Sequence, residues 1–174
     1  MRQVAHCAGC PAFLSYLPKL GRSHTALLRP HQYAAPLTTR PSPWNPIIVI
    51  PARMAATRLP GKPLADIHGR PMILHVLDRA REAAAGPVLV ACAEAQIATL
   101  VHEAGGAALL TDPALASGTD RVAAALAAAD PRGEHDVVVN LQGDLPTLPP
   151  SYIGACLDAR EAGDADLATI VAPI

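Results

Sequence analysis

Apolar residues recur along the chain in two alternating rhythms. Ile47-Ile-Val-Ile50 is a continuous β-branched run between Pro46 and Pro51, the pattern of a strand buried on both faces of a parallel sheet. Val88-Leu-Val-Ala-Cys92, Val137-Val-Val-Asn-Leu141 and Leu167-Ala-Thr-Ile-Val171 repeat it, and Ala107 to Leu110 is a shorter candidate. Between these runs the spacing becomes helical: Met72, Ile73, Val76, Leu77 and Ala80 share one face, and Ile97, Leu100, Val101 and Ala104 share another. Gly105-Gly106 closes the second helix, and Ser117-x-x-Asp120 predicts a capping box ahead of Val122 and Leu126. The Ala-rich stretch from Ala123 to Ala129 is a good helix former and needs no functional explanation. Strands alternating with helices predict an α/β domain, a mainly parallel sheet with helices on both faces, whose ligand site lies beyond the carboxyl ends of the strands.

Composition divides the chain at Pro46. Residues 1–46 carry five basic side chains (Arg2, Lys19, Arg22, Arg29, Arg40) and no acid, seven of the 18 prolines, and four of the five aromatics. The prolines each remove a backbone donor and restrict the preceding residue, so little stable structure is expected there. The acid-free, Ser- and Thr-bearing composition resembles an organellar transit peptide, but the amphipathic helix of such a peptide is missing. The extension therefore reads as a dispensable, disordered addition, translated from a start codon set too far upstream, and the protein as cytoplasmic. Cys7 and Cys10 form a CxxC with no second ligand pair to complete a zinc site, whereas Cys92 and Cys156 sit in apolar surroundings and read as small core residues.

Over the whole chain 14 Lys+Arg stand against 15 Asp+Glu, which argues against a nucleic-acid or anionic-membrane surface, and no apolar run reaches the length of a membrane span. Charge must therefore act locally. It is densest directly after the first strand, in Pro51-Ala-Arg-Met-Ala-Ala-Thr-Arg-Leu-Pro-Gly-Lys-Pro-Leu64, where Arg53, Arg58 and Lys62 fall in one irregular segment. Arg grips phosphate oxygens bidentately and Lys acts as a point charge, so a strand-end loop of this kind suits a polyphosphate. The segment has neither the P-loop nor the dinucleotide pattern, since Pro63 follows Gly61-Lys62. A carboxylate, Asp144, follows the Val137 to Leu141 strand and Gly143, a place from which it can reach a hard divalent cation. Arg121 reads equally as a surface ion-pair residue and as a functional one.

The segment from Pro51 to Leu64, the turn Asp66-Ile-His-Gly-Arg-Pro-Met72, Ser117-Gly-Thr-Asp-Arg121 and Val139-Asn-Leu-Gln-Gly-Asp-Leu-Pro146 occur in an order that resembles the cytidylyltransferases activating Kdo, the eight-carbon acidic sugar of bacterial lipopolysaccharide. The resemblance runs from Ile47 to Ile174 and covers the N-terminal half of a family member. It implies a Rossmann-like nucleotidyltransferase fold, truncated at its C-terminal part. It also implies transfer of CMP from CTP to Kdo with release of pyrophosphate, Mg²⁺ as cofactor, and a homodimer whose contact region lies in the half beyond Ile174. Carried over residue by residue, it makes Ala52, Arg53, Arg58, Lys62, Ser117 and Gln142 nucleotide-binding, Arg53 and Lys62 catalytic, and Asp144 the metal ligand. The chain departs from the family at Ala56, where Ser is usual, at Cys92-Ala-Glu94, where an acidic turn stands, and at Leu145, where Glu stands; Glu94 is expected to retain part of that turn's role. The alternatives are a cytidylyltransferase for another acidic sugar such as a sialic acid, and a truncated, non-catalytic nucleotide-binding fragment. The chain by itself is expected to have little or no turnover.

Overall fold

The computed structural model describes residues 3–7, 25–28, 44–55, 59–163 and 165–171. The expected alternation is present. In chain order the described strands are β1 (Gln3–Cys7), β2 (Thr25–Leu28), β3 (Pro46–Ala52), β4 (Asp66–Ile67), β5 (Arg70–Pro71), β6 (Val88–Cys92), β7 (Ala107–Leu110), β8 (Val137–Leu141) and β9 (Leu167–Ile170). The helices are α1 (Met72–Glu82), α2 (Ala95–Glu103), α3 (Gly118–Ala129) and α4 (Ser151–Ala162), and a 3-10 turn covers Lys62–Leu64.

Seven strands form one parallel sheet in the order β2-β9-β1-β8-β3-β6-β7, and β4 pairs with β5 in a separate antiparallel ribbon. All seven residues of β3 and all five of β8 are buried, as continuous β-branched runs require. Alternation along β3 sends its side chains to two cores. Ile48 and Ile50 join Ile73, Val76 and Leu77 of α1, Ile97 and Val101 of α2 and Ile153 of α4. Ile47 and Val49 meet Val122, Ala125 and Leu126 of α3 on the opposite face. Helices thus cover both faces, as the sequence predicts, and truncating a fully buried Ile48 or Ile50 to Ala should cost about 2–5 kcal/mol.

Residues ahead of Pro46 were expected to hold little stable structure. Within them, however, β1 pairs with both β8 and β9, and β2 pairs with β9. Neither segment contains proline, so each keeps the backbone donors that a parallel ladder consumes. Cys7 ends β1, and Cys10 lies outside the described residues.

Candidate active site

The topology selects one place for a ligand. From β3 the chain crosses through α1 to β6 and through α2 to β7, moving steadily to one side, and then returns through α3 to β8 on the other side of β3. The direction of winding reverses between β3 and β8, and the carboxyl ends of such a pair diverge into the crevice where open α/β sheets bind ligands. Both functional segments singled out from the sequence leave the sheet here: Arg53 follows β3, and Gln142-Gly-Asp144 follows β8. Their backbones are in close register, since an added Cβ on Gly143 would lie 2.6 Å from the Pro51 carbonyl oxygen. Glycine at 143 is therefore a packing requirement of the crevice.

The loop after β3 is anchored at its base. Ala52 is buried and its carbonyl accepts from the Ala93 amide at 3.2 Å, while the Met54 amide donates to Glu94 Oε1 at 3.0 Å. Glu94 thus performs a specific task in the second turn, tying the cation segment to the end of β6. The Gly61 amide returns to the Met54 carbonyl at 3.0 Å, with Gly61 at φ 74°, and this closes the loop immediately before Lys62. Arg53 is exposed and its Nη1 donates to the Ala116 carbonyl at 3.5 Å, directed toward the segment before α3. Arg58 lies outside the described residues.

Lys62 Nζ donates to Asp144 Oδ2 at 2.6 Å across 82 residues of sequence. This pair joins the cation loop to the turn after β8 and places a positive and a negative group side by side at the switch point. Gln142, two residues before Asp144, is half-buried, its Nε2 donating to Asn140 Oδ1 at 3.3 Å. The Asp144 side chain is 46% exposed, so its carboxylate is open to solvent as well as to Lys62. A hard divalent ion of the Mg²⁺ type takes one or two carboxylates and completes its shell with waters and substrate phosphates. A single half-exposed carboxylate fits that role, with Lys62 as the group that must share it.

The third wall comes from the turn between β7 and α3. Ser117 caps α3: its hydroxyl accepts from the Asp120 amide at 3.1 Å and Asp120 Oδ2 accepts from the Ser117 amide, the predicted capping box. Arg121 is no surface residue; it is 1% exposed, with Nη1 donating to Thr111 Oγ1 and to the Asp112 carbonyl. Thr111 in turn donates to the Cys92 carbonyl through its amide at 2.9 Å and its hydroxyl at 3.0 Å. Cys92 and Cys156 are buried, the core role expected of both. Burial, reinforced by the negative charge of Glu94, pushes the Cys92 thiol above its ordinary pKa, and Arg121 partly offsets this. That thiol is a packed donor, not a nucleophile.

Of the sequence-derived site residues, the fold places Ala52, Arg53, Gln142 and Asp144 at the ends of the adjoining strands β3 and β8, with Lys62 brought to them by its bond to Asp144 and Ser117 on the neighbouring turn. Sequence reasoning missed the Thr111–Arg121 connection, because nothing in the local pattern distinguishes a buried arginine from an exposed one near a helix start.

A parallel sheet with a cation loop and a carboxylate facing one another at its switch point defines an α/β fold of nucleotidyltransferase type. Residues 47–174 match the family model described as cytidylyltransferase, and the chain belongs to that family. A 3-deoxy-manno-octulosonate cytidylyltransferase of Rhodospirillum centenum is 62% identical over 133 residues, covering 76% of this chain and 52% of that protein. Its counterpart in Rhodospirillum rubrum is 60% identical over 130 residues, covering 74% and 52%. Among solved structures, a CMP:2-keto-3-deoxy-manno-octonic acid synthetase in complex with CTP superimposes with a TM-score of 0.64 and 38% identity over 70% of this chain and 49% of that one. The chain spans about half the length of the curated relatives it matches.

Proposed function

We propose that this chain forms the nucleotide-binding half of a cytidylyltransferase that converts CTP and Kdo to CMP-Kdo and pyrophosphate, a cytoplasmic step toward lipopolysaccharide. The observation that carries the reading is the 2.6 Å pairing of Lys62 with Asp144 at the β3/β8 switch point; identity of 62% to an enzyme named for this reaction supports the substrate pair. Among the described residues no helix is long and apolar enough to cross a membrane.

The anomeric hydroxyl of the sugar acid attacks the α-phosphorus of CTP and gives up its proton to solvent, the bond from that phosphorus to the bridging oxygen breaks, and pyrophosphate departs with that oxygen. No covalent enzyme intermediate is needed, so the protein's contribution is alignment and charge stabilisation. Arg53 and Lys62, with Arg58 from the same segment, hold the triphosphate, and Lys62 leaves Asp144 for a phosphate oxygen as the nucleotide enters. Gln142 lines the floor and the capped Ser117 turn borders the base. Asp144, with phosphate oxygens of the substrate, would hold Mg²⁺, which supplies neutralisation of charge developing at phosphorus and on the leaving group. Loss of one such group should cost on the order of 3 kcal/mol of transition-state stabilisation.

Calorimetric titration of the purified chain with CTP and Mg²⁺, with UTP and ATP as comparisons, tests the reading. CTP is expected to bind in preference to both, and Lys62→Met to abolish binding. A folded chain that ignores CTP overturns the proposal. Pyrophosphate release with Kdo added then reports whether this half alone turns over, and little or no release is the expected outcome.

A further inference from the structure

The largest fully buried side chain of the described core is a charged one, Arg121. Among the described residues no carboxylate pairs with it, and its Nη2 is buried without a hydrogen-bond partner. A buried, unpaired guanidinium is a liability for stability: an apolar side chain of the same length is usually tolerated as well or better. Its presence calls for another use, and the hydrogen bonds show one. Arg121 Nη1 reaches both Thr111 Oγ1 and the Asp112 carbonyl, the latter at 3.2 Å. The Thr111 amide and hydroxyl both end on the Cys92 carbonyl. The next amide, that of Ala93, holds the Ala52 carbonyl at 3.2 Å, and the following side chain, Glu94, holds the Met54 amide at 3.0 Å. One chain of bonds therefore runs from the first turn of α3, across the ends of β7 and β6, to the two residues that flank Arg53.

We propose that Arg121 is a positioning residue of the nucleotide site, which fixes the turn bordering the base and the root of the cation loop relative to one another. This rests on the nucleotide reading given above. A single guanidinium nitrogen, Nη1, holds the Thr111-Asp112 turn at two points; the threonine hydroxyl, accepting from Arg121 and donating to the Cys92 carbonyl, passes that constraint to the neighbouring strand end. The arginine never touches the ligand. Its effect is felt where the base and the triphosphate must be held at one fixed spacing, which neither part of the nucleotide alone demands.

Arg121→Met separates this role from a merely structural one, because the apolar stem keeps the volume and removes the buried charge. The variant is expected to melt at or above the wild-type temperature. It should bind CTP about tenfold more weakly, yet bind inorganic tripolyphosphate within about twofold of wild type. Thr111→Val should weaken CTP in the same sense, and Thr111→Ser, which restores the hydroxyl, should recover it. Amide hydrogen exchange of the unliganded proteins gives a second readout: Arg121→Met should accelerate exchange at Thr111, Ala93 and Met54 while leaving α1 unchanged. Unaltered CTP affinity, or parallel losses for CTP and tripolyphosphate, overturns the positioning role, as does unaltered exchange at those amides. Failure of the wild-type chain to bind CTP overturns the nucleotide reading instead, and the exchange measurement then decides whether Arg121 holds these turns.

Discussion

Gly143 is the point at which the packing of the sheet and the geometry of the site can be perturbed together. A Cβ built there lies 2.6 Å from the Pro51 carbonyl oxygen and 3.7 Å from Ile50 Cγ2, and separations under 3.0 Å to backbone are not sustained. In Gly143→Ala the turn after β8 must therefore retreat from β3 by at least about 0.4 Å, the gap between those two distances. Pro51 is buried in β3 and cannot yield as a surface side chain would. Overpacking of this kind costs roughly 1–3 kcal/mol. At about 2–4 °C per kcal/mol for a chain of this size, the melting temperature should fall by about 2–12 °C. The retreat also carries Asp144 away from Arg53 and Lys62, and a displacement of this size should weaken Mg²⁺-dependent CTP binding on the order of tenfold. Differential scanning calorimetry and CTP titration on the same preparation read both effects. Gly69→Ala is the control: its φ is +79° and nothing lies within 4 Å of an added Cβ, so its cost of about 1–2 kcal/mol is conformational and CTP affinity should not move. A Gly143→Ala protein with wild-type melting and wild-type affinity would refute the claim that this glycine sets the spacing of the two segments.

Three further outcomes follow from the same geometry. The Lys62–Asp144 pair, with side chains 34% and 46% exposed, should contribute no more than about 1 kcal/mol to folding; Asp144→Asn should thus melt within about 4 °C of wild type while losing the enhancement of CTP binding by Mg²⁺, seen by calorimetry with and without the metal. Ser117→Ala removes the hydroxyl half of the capping box on α3 and should lower stability by about 1 kcal/mol in denaturant titration. Cys92 is held above its ordinary thiol pKa by burial. The folded state thus retains a proton that the unfolded state releases, so this contribution to stability is complete below the unfolded thiol pKa and is lost as pH rises through the folded one. Urea midpoints measured across the alkaline range should decline, and the decline should be shallower in Cys92→Ala.

The layered α/β fold was legible because parallel strands buried on both faces must be written as near-continuous apolar runs, and β3, β6 and, but for Asn140, β8 are. Helix α4 was not legible, since its buried face is written largely in small or charged residues, Ala155, Cys156, Ala159 and Arg160 beside Ile153 and Leu157, and so leaves no strong apolar stripe to detect. Strands β1 and β2 escaped for a different reason: their sequences are short and unremarkable, and what recruits them is the hydrogen-bonding edge offered by β8 and β9, a property of distant residues.

The candidate site divides along the same line between local and distant information. The motif order placed its residues on strand ends, and parallel winding did the rest, because a chain that reverses direction between β3 and β8 has to bring the loops after those strands together. What no local pattern contains is the pairing within the crevice. Lys62 meets Asp144 from 82 residues away, and Arg121 reaches back across ten residues to Thr111 only because β6 and β7 end side by side. Ser-Gly-Thr-Asp-Arg reads as an exposed helix start until a neighbouring turn is laid over it; the same five residues then supply a cap on one side and a buried clamp on the other. Arg53 and Lys62, expected to meet phosphate, are exposed and half-exposed respectively, and are found by their charge. Those that set the spacing between them, Gly143 and Arg121, are found only through contacts. A variant that spares every phosphate-facing group can therefore still disable the crevice, which is the outcome the Gly143 and Arg121 substitutions are designed to measure.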